Sequence, residues 1–306
     1  MLDTIRVKFP IYPTDEQLKG WTTRITRTPE GERQVFIYNP IVDETTLRFT
    51  YYPRDYSGKP MLTLELSLPK LIFDNNYQML GSIDGAIKIA NMLLTDVPHL
   101  PKLDLAEGIL IRLDLCYNHQ VGEAVDDYIN ALGKLEYPHR RTKFHMHEGV
   151  EYRAKRKTTK FYNKEHEAGV IEAHGILRQE TTMLNPKDIQ KFLHKPKPTL
   201  LDISYEQVAA ELKDDLSKLG LMNNSIANRD TAFDALCEAH GELAGFYYWA
   251  LLLNKTKKSR KRIAKESKMH PRSIDRKLKK IVDAGIPLTL TDREEPLPPL
   301  KIGIFY

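Results

Sequence analysis

The sequence predicts an α+β protein, an antiparallel sheet with packed helices followed by an α-helical segment. Three observations lead there. Short runs alternating between apolar and polar residues recur from Ile5 to Met183, the period of half-buried strands. Two amphipathic helical stretches interrupt these runs without alternating with them one for one, which favours antiparallel layering over βαβ units. Beyond His194-Lys195-Pro196-Lys197-Pro198 helical spacing takes over. We therefore place one domain over 1–194 and a helical domain over 195–306. Two related β/α halves are compatible with the first, with Ile5–Phe9 and Ile109–Leu115 in corresponding places.

In chain order, Ile5, Val7 and Phe9 alternate with polar residues, and Val35–Tyr38 and Leu47–Tyr52 are short β-branched or aromatic runs. Leu62, Leu64, Leu66 and Leu68 form one face of a strand whose polar face centres on Glu65. Ser82 is placed to cap a helix with Ile87, Ala90, Leu93 and Leu94 inward. The next strand sets Ile109, Ile111, Leu113 and Leu115 against Leu110, Arg112, Asp114 and Cys116. Val121 to Leu132 gives a second amphipathic helix. Strands near Thr142–His147, Gly149–Arg153 and Thr158–Lys164 precede one over Gly175–Met183. Ser204-Tyr205-Glu206-Gln207 is a capping box ahead of Val208, Leu212, Leu216 and Leu219, with Gly220 as the stop. Phe233, Leu236, Leu243, Phe246, Tyr247, Ala250 and Leu251 are expected to face a core.

Composition excludes several classes. The longest apolar run, Ala244–Leu253, is about half the ~20 residues a membrane span needs. The N-terminus carries no signal pattern. Two cysteines, Cys116 and Cys237, make neither a disulfide framework nor a zinc site alone, which fits a reducing cytoplasm. The net charge of +5 is unevenly spread. Lys255–Lys280 holds 13 Lys and Arg against 2 Asp and Glu, so the rest of the chain is acidic and this segment is suited to a polyanion.

Four constellations carry possible chemistry. Glu65, Asp114 and Glu180 each sit mid-strand. If their strands are neighbours the three make a hard Mg²⁺ or Mn²⁺ site; the plainer reading is a charged sheet face whose acids pair with Arg112 and Arg178. Tyr162 alternates with Phe161 and is flanked by Lys160 and Lys164. A free phenol has a pKa of about 10, and neighbouring ammonium groups favour the phenolate; the plainer reading is a strand tyrosine packed between surface lysines. His145 and His147 have the spacing of a metal pair or of an exposed strand end. Finally, Ser259–Ser267 and a second helix that starts at Pro271, with Gly285 just past its end, read as a helix-turn-helix near 259–285, with Ile263, Ala264, Ile274, Leu278, Ile281 and Val282 inward. Arg272, Ser273 and Arg276 then reach base edges, while Lys277, Lys280, Arg260 and Arg262 suit phosphates.

The blocks LTLELSLPKLIF, ILIRLDLCYN, TTKFYNKEHE and ILRQETTML resemble, in order, the gene II/X replication initiators of filamentous phages and related plasmids, within the rolling-circle Rep proteins. The match covers Leu62–Phe73, Ile109–Asn118 and Thr158–Leu184, with a looser match in GFYYWALLLNKT and RSIDRKLKKIVDAGIP. Residues 1–60 and 185–240 lie outside it. The resemblance implies a cytoplasmic nicking and closing endonuclease that acts on origin DNA, double-stranded and single-stranded, with a host helicase as partner. It implies Tyr162 as nucleophile, Lys164 and Lys160 beside it, and Glu65, Asp114 and Glu180 as divalent-metal ligands. The first domain would then do the nicking and strand transfer, and the second would bind the origin. Two alternatives stand beside this reading: a non-catalytic helix-turn-helix origin or operator binder, and a conjugative-type relaxase.

Overall fold

The computed structural model describes residues 1–28, 31–42, 44–54 and 58–303, and of 27 and 28 the backbone alone. Its contacts divide into two compact units that interleave along the chain: Met1–Cys116 with Thr181–Val208, and Tyr117–Glu180 with Ala209–Gly303. The protein is mixed α+β, and its sheet pairings named below are antiparallel.

The first unit opens with β1 (Leu2–Phe9) and α1 (Asp15–Leu18). Next come the hairpin β2 (Thr22–Thr28) and β3 (Gly31–Tyr38), and the small pair β4 (Ile41–Val42) and β5 (Thr45–Thr46). Strands β6 (Arg48–Tyr52) and β7 (Met61–Ser67) follow, then α2 (Leu68–Phe73) and α3 (Ile83–Thr95). The strand order is β2-β3-β6-β7-β1, with the start of β8 (Ile109–Gln120) on the far side of β1. The pleat sends Ile5, Val7, Phe49, Leu62, Leu64 and Leu66 to one buried face, where α2 packs on β1 and β7. Arg6, Arg48 and Glu65 take the other. Ser82 caps α3 as its sequence predicts, accepting from Gly85 N at 3.1 Å. Leu68 does not extend β7: with Pro69 it opens α2, capped by Ser67.

Strand β8 departs from the predicted alternation. Arg6 faces Arg112 while Val7 faces Leu110, so a register shift falls between them. Leu110, Leu113 and Leu115 are fully buried, whereas Ile111 joins Arg6 and Glu65 around a groove. Such a bulge inserts a residue and turns the strand's faces over. Single-strand periodicity cannot register it.

The second unit continues β8 and adds α4 (Val125–Gly133), β9 (Arg141–His145), β10 (Gly149–Arg153) and β11 (Lys157–Asn163). It then holds α5 (Lys164–Ala168) and β12 (Ile176–Met183), in the order β8-β12-β11-β10-β9. In each unit a leading strand, β1 or β8, lies beside the last strand of a four-strand meander, which fits two related β/α halves. Helix α4 covers β9, β10 and β11, and Tyr152 donates to the Leu132 carbonyl at 2.6 Å.

The helices beyond β12 are α6 (Pro186–Leu193), α7 (Tyr205–Lys218), α8 (Arg229–His240), α9 (Glu242–Lys257), α10 (Arg260–Glu266) and α11 (Pro271–Asp283). Ser204 and Gln207 exchange the two bonds of the predicted capping box, at 2.9 and 3.2 Å. The predicted boundary at 194/195 is not where contacts divide. From Ala209 onward the helices belong to the second unit, because polar groups of α4 and its neighbours reach them. Tyr137 donates to Asp215 at 2.6 Å, and Thr289 donates to the Ala131 carbonyl at 2.9 Å. Asp215 also accepts from Thr159 at 2.9 Å, with Arg140 at 3.5 Å. Of the residues expected in the helical core, Leu236 and Leu251 are buried, but Leu243 is 88% and Phe246 56% exposed. Helix α9 is apolar on nearly every side, so periodicity does not select its inner face.

His119 is buried and lies 3.1 Å from Gln179 Oε1. Burial pushes its pKa down to about 4, against the opposing pull of Gln179 and of a backbone contact at Lys301. The folded imidazole is therefore neutral, while an unfolded one protonates near pH 6.5. Stability should be full above pH 6.5 and decline as pH falls toward 4, by up to about 3 kcal/mol. Urea titrations across that window should show the decline, and His119→Gln should flatten it.

Candidate active site

Strand β11 places its side chains by simple alternation. Thr159 and Phe161 are fully buried, so Lys160 and Tyr162 emerge on the opposite face. The Tyr162 hydroxyl donates to Glu180 Oε2 at 3.1 Å, and Lys160 Nζ lies 3.5 Å from Glu180 Oε1. One carboxylate on β12, only 7% exposed, thus touches a phenol and an ammonium through its two oxygens.

Lys164 does not share the strand face predicted for it. The strand ends at Asn163, whose side chain caps α5 by accepting from His166 N. Lys164 begins that helix, is fully buried, and pairs with Glu167. Its Nζ still lies 5.8 Å from the Tyr162 ring centroid, so it contributes positive charge from beneath the ring. Lys160, Lys164, Tyr162 and Glu180 therefore come together within the second unit.

Gly149 was not singled out by its sequence context, yet it faces Tyr162 across the β10–β11 ladder. A Cβ at 149 would lie 2.5 Å from the Phe161 carbonyl oxygen and 2.7 Å from the Tyr162 Cβ. Only glycine lets β10 approach here. The signal was a glycine opening a strand pattern, which marks close backbone approach.

Burial argues against four of the other phenols as nucleophiles. It pushes Tyr128 and Tyr205 up to about 12 and raises Tyr137 and Tyr152 further. Tyr137 is additionally held protonated by its bond to Asp215. Such groups do not ionise near neutral pH. Tyr162 is half-exposed.

In the first unit Glu65 and Asp114 are brought together by Arg112. Its Nη1 lies 3.2 Å from Glu65 Oε1, and its Nε and Nη2 form a fork on Asp114 at 3.1 and 2.7 Å. Arg6 also pairs with Glu65. The arginine pairing weighed for these acids is thus present for Arg112. Arg178 is buried on β12 and donates to Asn118 at 3.3 Å.

His145 and His147 do not form a pair on one strand face. Strand β9 stops at His145, and His147 turns into the left-handed region (φ 63°) and contacts Asp126 at 3.1 Å. Among the described residues, a cluster of three potential metal ligands occurs at Glu211, Asp214 and Asp215. These acids already pair with Lys157, with Lys218, and with Tyr137 and Thr159 respectively.

Helices α10 and α11 are joined by a short turn over Ser267–His270. Ser259 caps the first and His270 the second, with Pro271 at its start and Gly285 (φ 80°) beyond its end. Ile263, Ala264, Ile274, Leu278 and Ile281 are buried as predicted, and Val282 is partly so. Arg272, Arg276 and Lys280 are exposed at i, i+4 and i+8, one stripe along α11. Ser273 is half-buried, and Lys277 lies over the Tyr247 ring at 4.3 Å. Arg260 is engaged by Glu136 and Asp275, and Arg262 by Glu266. Lys258 and Arg262 together hold the Glu266 carboxyl below its ordinary range.

Neither the family models nor the curated proteins compared with this chain give a match.

Lys255 is 4% exposed at its side chain and pairs with Glu136 at 2.9 Å. Lys255→Ala should lower stability by about 2 kcal/mol, less than a fully buried pair because Glu136 keeps contact with water. Arg276→Ala should leave stability unchanged, and urea unfolding of the two variants checks the contrast.

Proposed function

We propose that this chain is a rolling-circle replication initiator, nicking and rejoining one DNA strand through a tyrosine nucleophile. The observation that carries the reading is the Tyr162–Glu180–Lys160 arrangement, with Lys164 beneath the ring. Glu180 accepts the phenol proton as the Tyr162 oxygen attacks the scissile phosphorus. The bond to the 3′-oxygen breaks, and that oxygen leaves as a 3′-hydroxyl after taking a proton from solvent. The strand's 5′ end stays on the enzyme as a phosphotyrosyl ester. Lys160 and Lys164 offset charge on the phenolate and on the crowded phosphate. Because the ester retains the phosphodiester bond, the reverse attack by a 3′-hydroxyl rejoins the ends without ATP.

Glu65 and Asp114 in the first unit are carboxylates that would hold Mg²⁺ or Mn²⁺. Their donor atoms are hard oxygens of the kind such ions take. Arg112 competes for the same lone pairs on Glu65 and Asp114. A bound ion would supply Lewis-acid polarisation of a phosphoryl oxygen.

We read the α10–α11 pair as a helix-turn-helix, with the stripe of Arg272, Arg276 and Lys280 suited to the major groove of duplex origin DNA. No helix among the described residues is long and apolar enough to cross a membrane. The non-catalytic origin or operator binder uses this helix pair and makes no use of Tyr162. A relaxase uses the same tyrosine chemistry for mobilisation.

Incubation with an origin oligonucleotide in Mn²⁺ should give a covalent adduct whose attached peptide, by mass spectrometry, contains Tyr162. Tyr162→Phe should abolish the adduct, as should chelation, while duplex binding persists. An undiminished adduct from Tyr162→Phe would falsify the nucleophile, and no adduct from any variant would favour the binder. Duplex affinity should fall with salt by a log–log slope of about −4 to −6 if five or six phosphates are contacted. Arg272→Ala with Arg276→Ala should relax sequence specificity, by about 1–3 kcal/mol per lost base contact, and leave the slope nearly unchanged.

A further inference from the structure

The first unit carries a groove of about 580 Å³ on the sheet face away from α2. Four arginines line it: Arg24 on β2, Arg33 on β3, Arg48 on β6 and Arg6 on β1. The ladder explains their convergence. Arg24 stands opposite Val35 and Thr26 opposite Arg33, while Arg48 and Arg6 flank Glu65 from either side. Period-2 alternation then directs all four to one face. Glu65 is the acid in the lining, and it already accepts from Arg6 and Arg112.

Strand spacing fixes what fits. From β2 to β1 is four strand intervals, about 19 Å at ~4.8 Å each. One phosphate or carboxylate cannot span that distance, so the row matches a ligand with repeated negative charge. The floor between the arginines carries Val35, Ile37, Met61 and Ile111, with the Tyr52 ring beside them and Thr26, Thr50 and Thr63 adding hydroxyls among their methyl groups. A duplex hides its bases and gains nothing from such a floor. An unpaired strand offers base faces to it while its phosphates meet the guanidinium groups. An acidic peptide supplies the charge but has no aromatic faces for the floor.

We infer that this groove binds a single strand of DNA through its phosphodiester backbone, separately from the α10–α11 helices. The inference builds on the proposed function in choosing DNA as the strand, but it uses none of the cleavage chemistry.

The test is anisotropy of a fluorescein-labelled oligothymidylate with the full chain in EDTA, across a salt series. Arg24→Ala with Arg48→Ala should weaken binding about tenfold at 0.15 M salt and make the log–log slope shallower by about 1.4, at ~0.7 per lost phosphate contact. Arg24→Lys with Arg48→Lys should keep the slope. Duplex affinity should be unchanged in both variants, which also reports that they fold. Unchanged oligothymidylate affinity and slope in the alanine pair overturns the groove. So does polyglutamate competing as well as unlabelled oligothymidylate, or duplex binding that weakens in parallel. Adduct formation through Tyr162 is scored separately in Mn²⁺: its absence with an intact groove effect removes the nicking reading alone, and its presence with no groove effect removes the groove alone.

Discussion

The pleat of β11 is the constraint on which the second unit's chemistry depends. Phe161 and Thr159 are buried toward α4 and α7, and that burial fixes where Lys160 and Tyr162 point. A one-residue slip would exchange the two sets. Phe161 would then be left in solvent and a lysine forced into the core, so the register is held by several kcal/mol of burial. Gly149 adds a second lock by letting β10 close on the tyrosine's own position. The Tyr162–Glu180 bond is therefore a consequence of packing on the opposite face. The site needs no strained backbone to present its phenol.

Charge in the first unit is arranged crosswise. Arg48, Glu65, Arg6 and Arg112 stand in register across four neighbouring strands. Alone, three guanidinium groups in a row repel one another. Glu65 lies between two of them, and Asp114 takes the fork of Arg112. The carboxylates thus hold the arginines in place, whatever else binds there. An incoming anion strengthens that row by adding negative charge, whereas an incoming divalent cation has to displace a guanidinium.

Much of this was legible in the sequence where geometry follows from local pattern alone. Leu62, Leu64 and Leu66 opposite Glu65, the cap at Ser82, the box at Ser204 and the inward residues of α10 and α11 all came from spacing. The failures have separate physical causes. The bulge in β8 needs the partner strand to reveal it, since only pairing with Arg6 and Val7 shows the lost step. Alternation carries the strand pattern through Lys164, because only the fold shows Asn163 capping the helix that starts there. The inner face of α9 was unreadable because Leu243, Phe246 and Tyr247 are as apolar as Leu251 and Leu252. The sequence divides the chain at a proline-rich stretch, whereas contacts group Tyr117–Glu180 with Ala209–Gly303 through long-range bonds such as Tyr137 to Asp215. The arginine groove draws single residues from strands far apart in sequence, so no local charge run announced it.

The basic segment shows why charge counts overstate a binding surface. Of its cations, Lys255 and Arg260 are tied to Glu136, Arg262 and Lys258 to Glu266, and Lys279 to Asp283. Lys277 lies against an aromatic ring. The pairs at the surface are weak, each worth roughly 0–1 kcal/mol, so a phosphate can recruit those side chains at little cost. Lys255 differs, because its burial makes the pair with Glu136 part of the fold. The stripe of Arg272, Arg276 and Lys280 differs again, being presented at helical spacing by a core of Ile274, Leu278 and Ile281 on the other side. Orientation by that core, more than the number of charges, separates the residues suited to register on a duplex from those that add only long-range attraction.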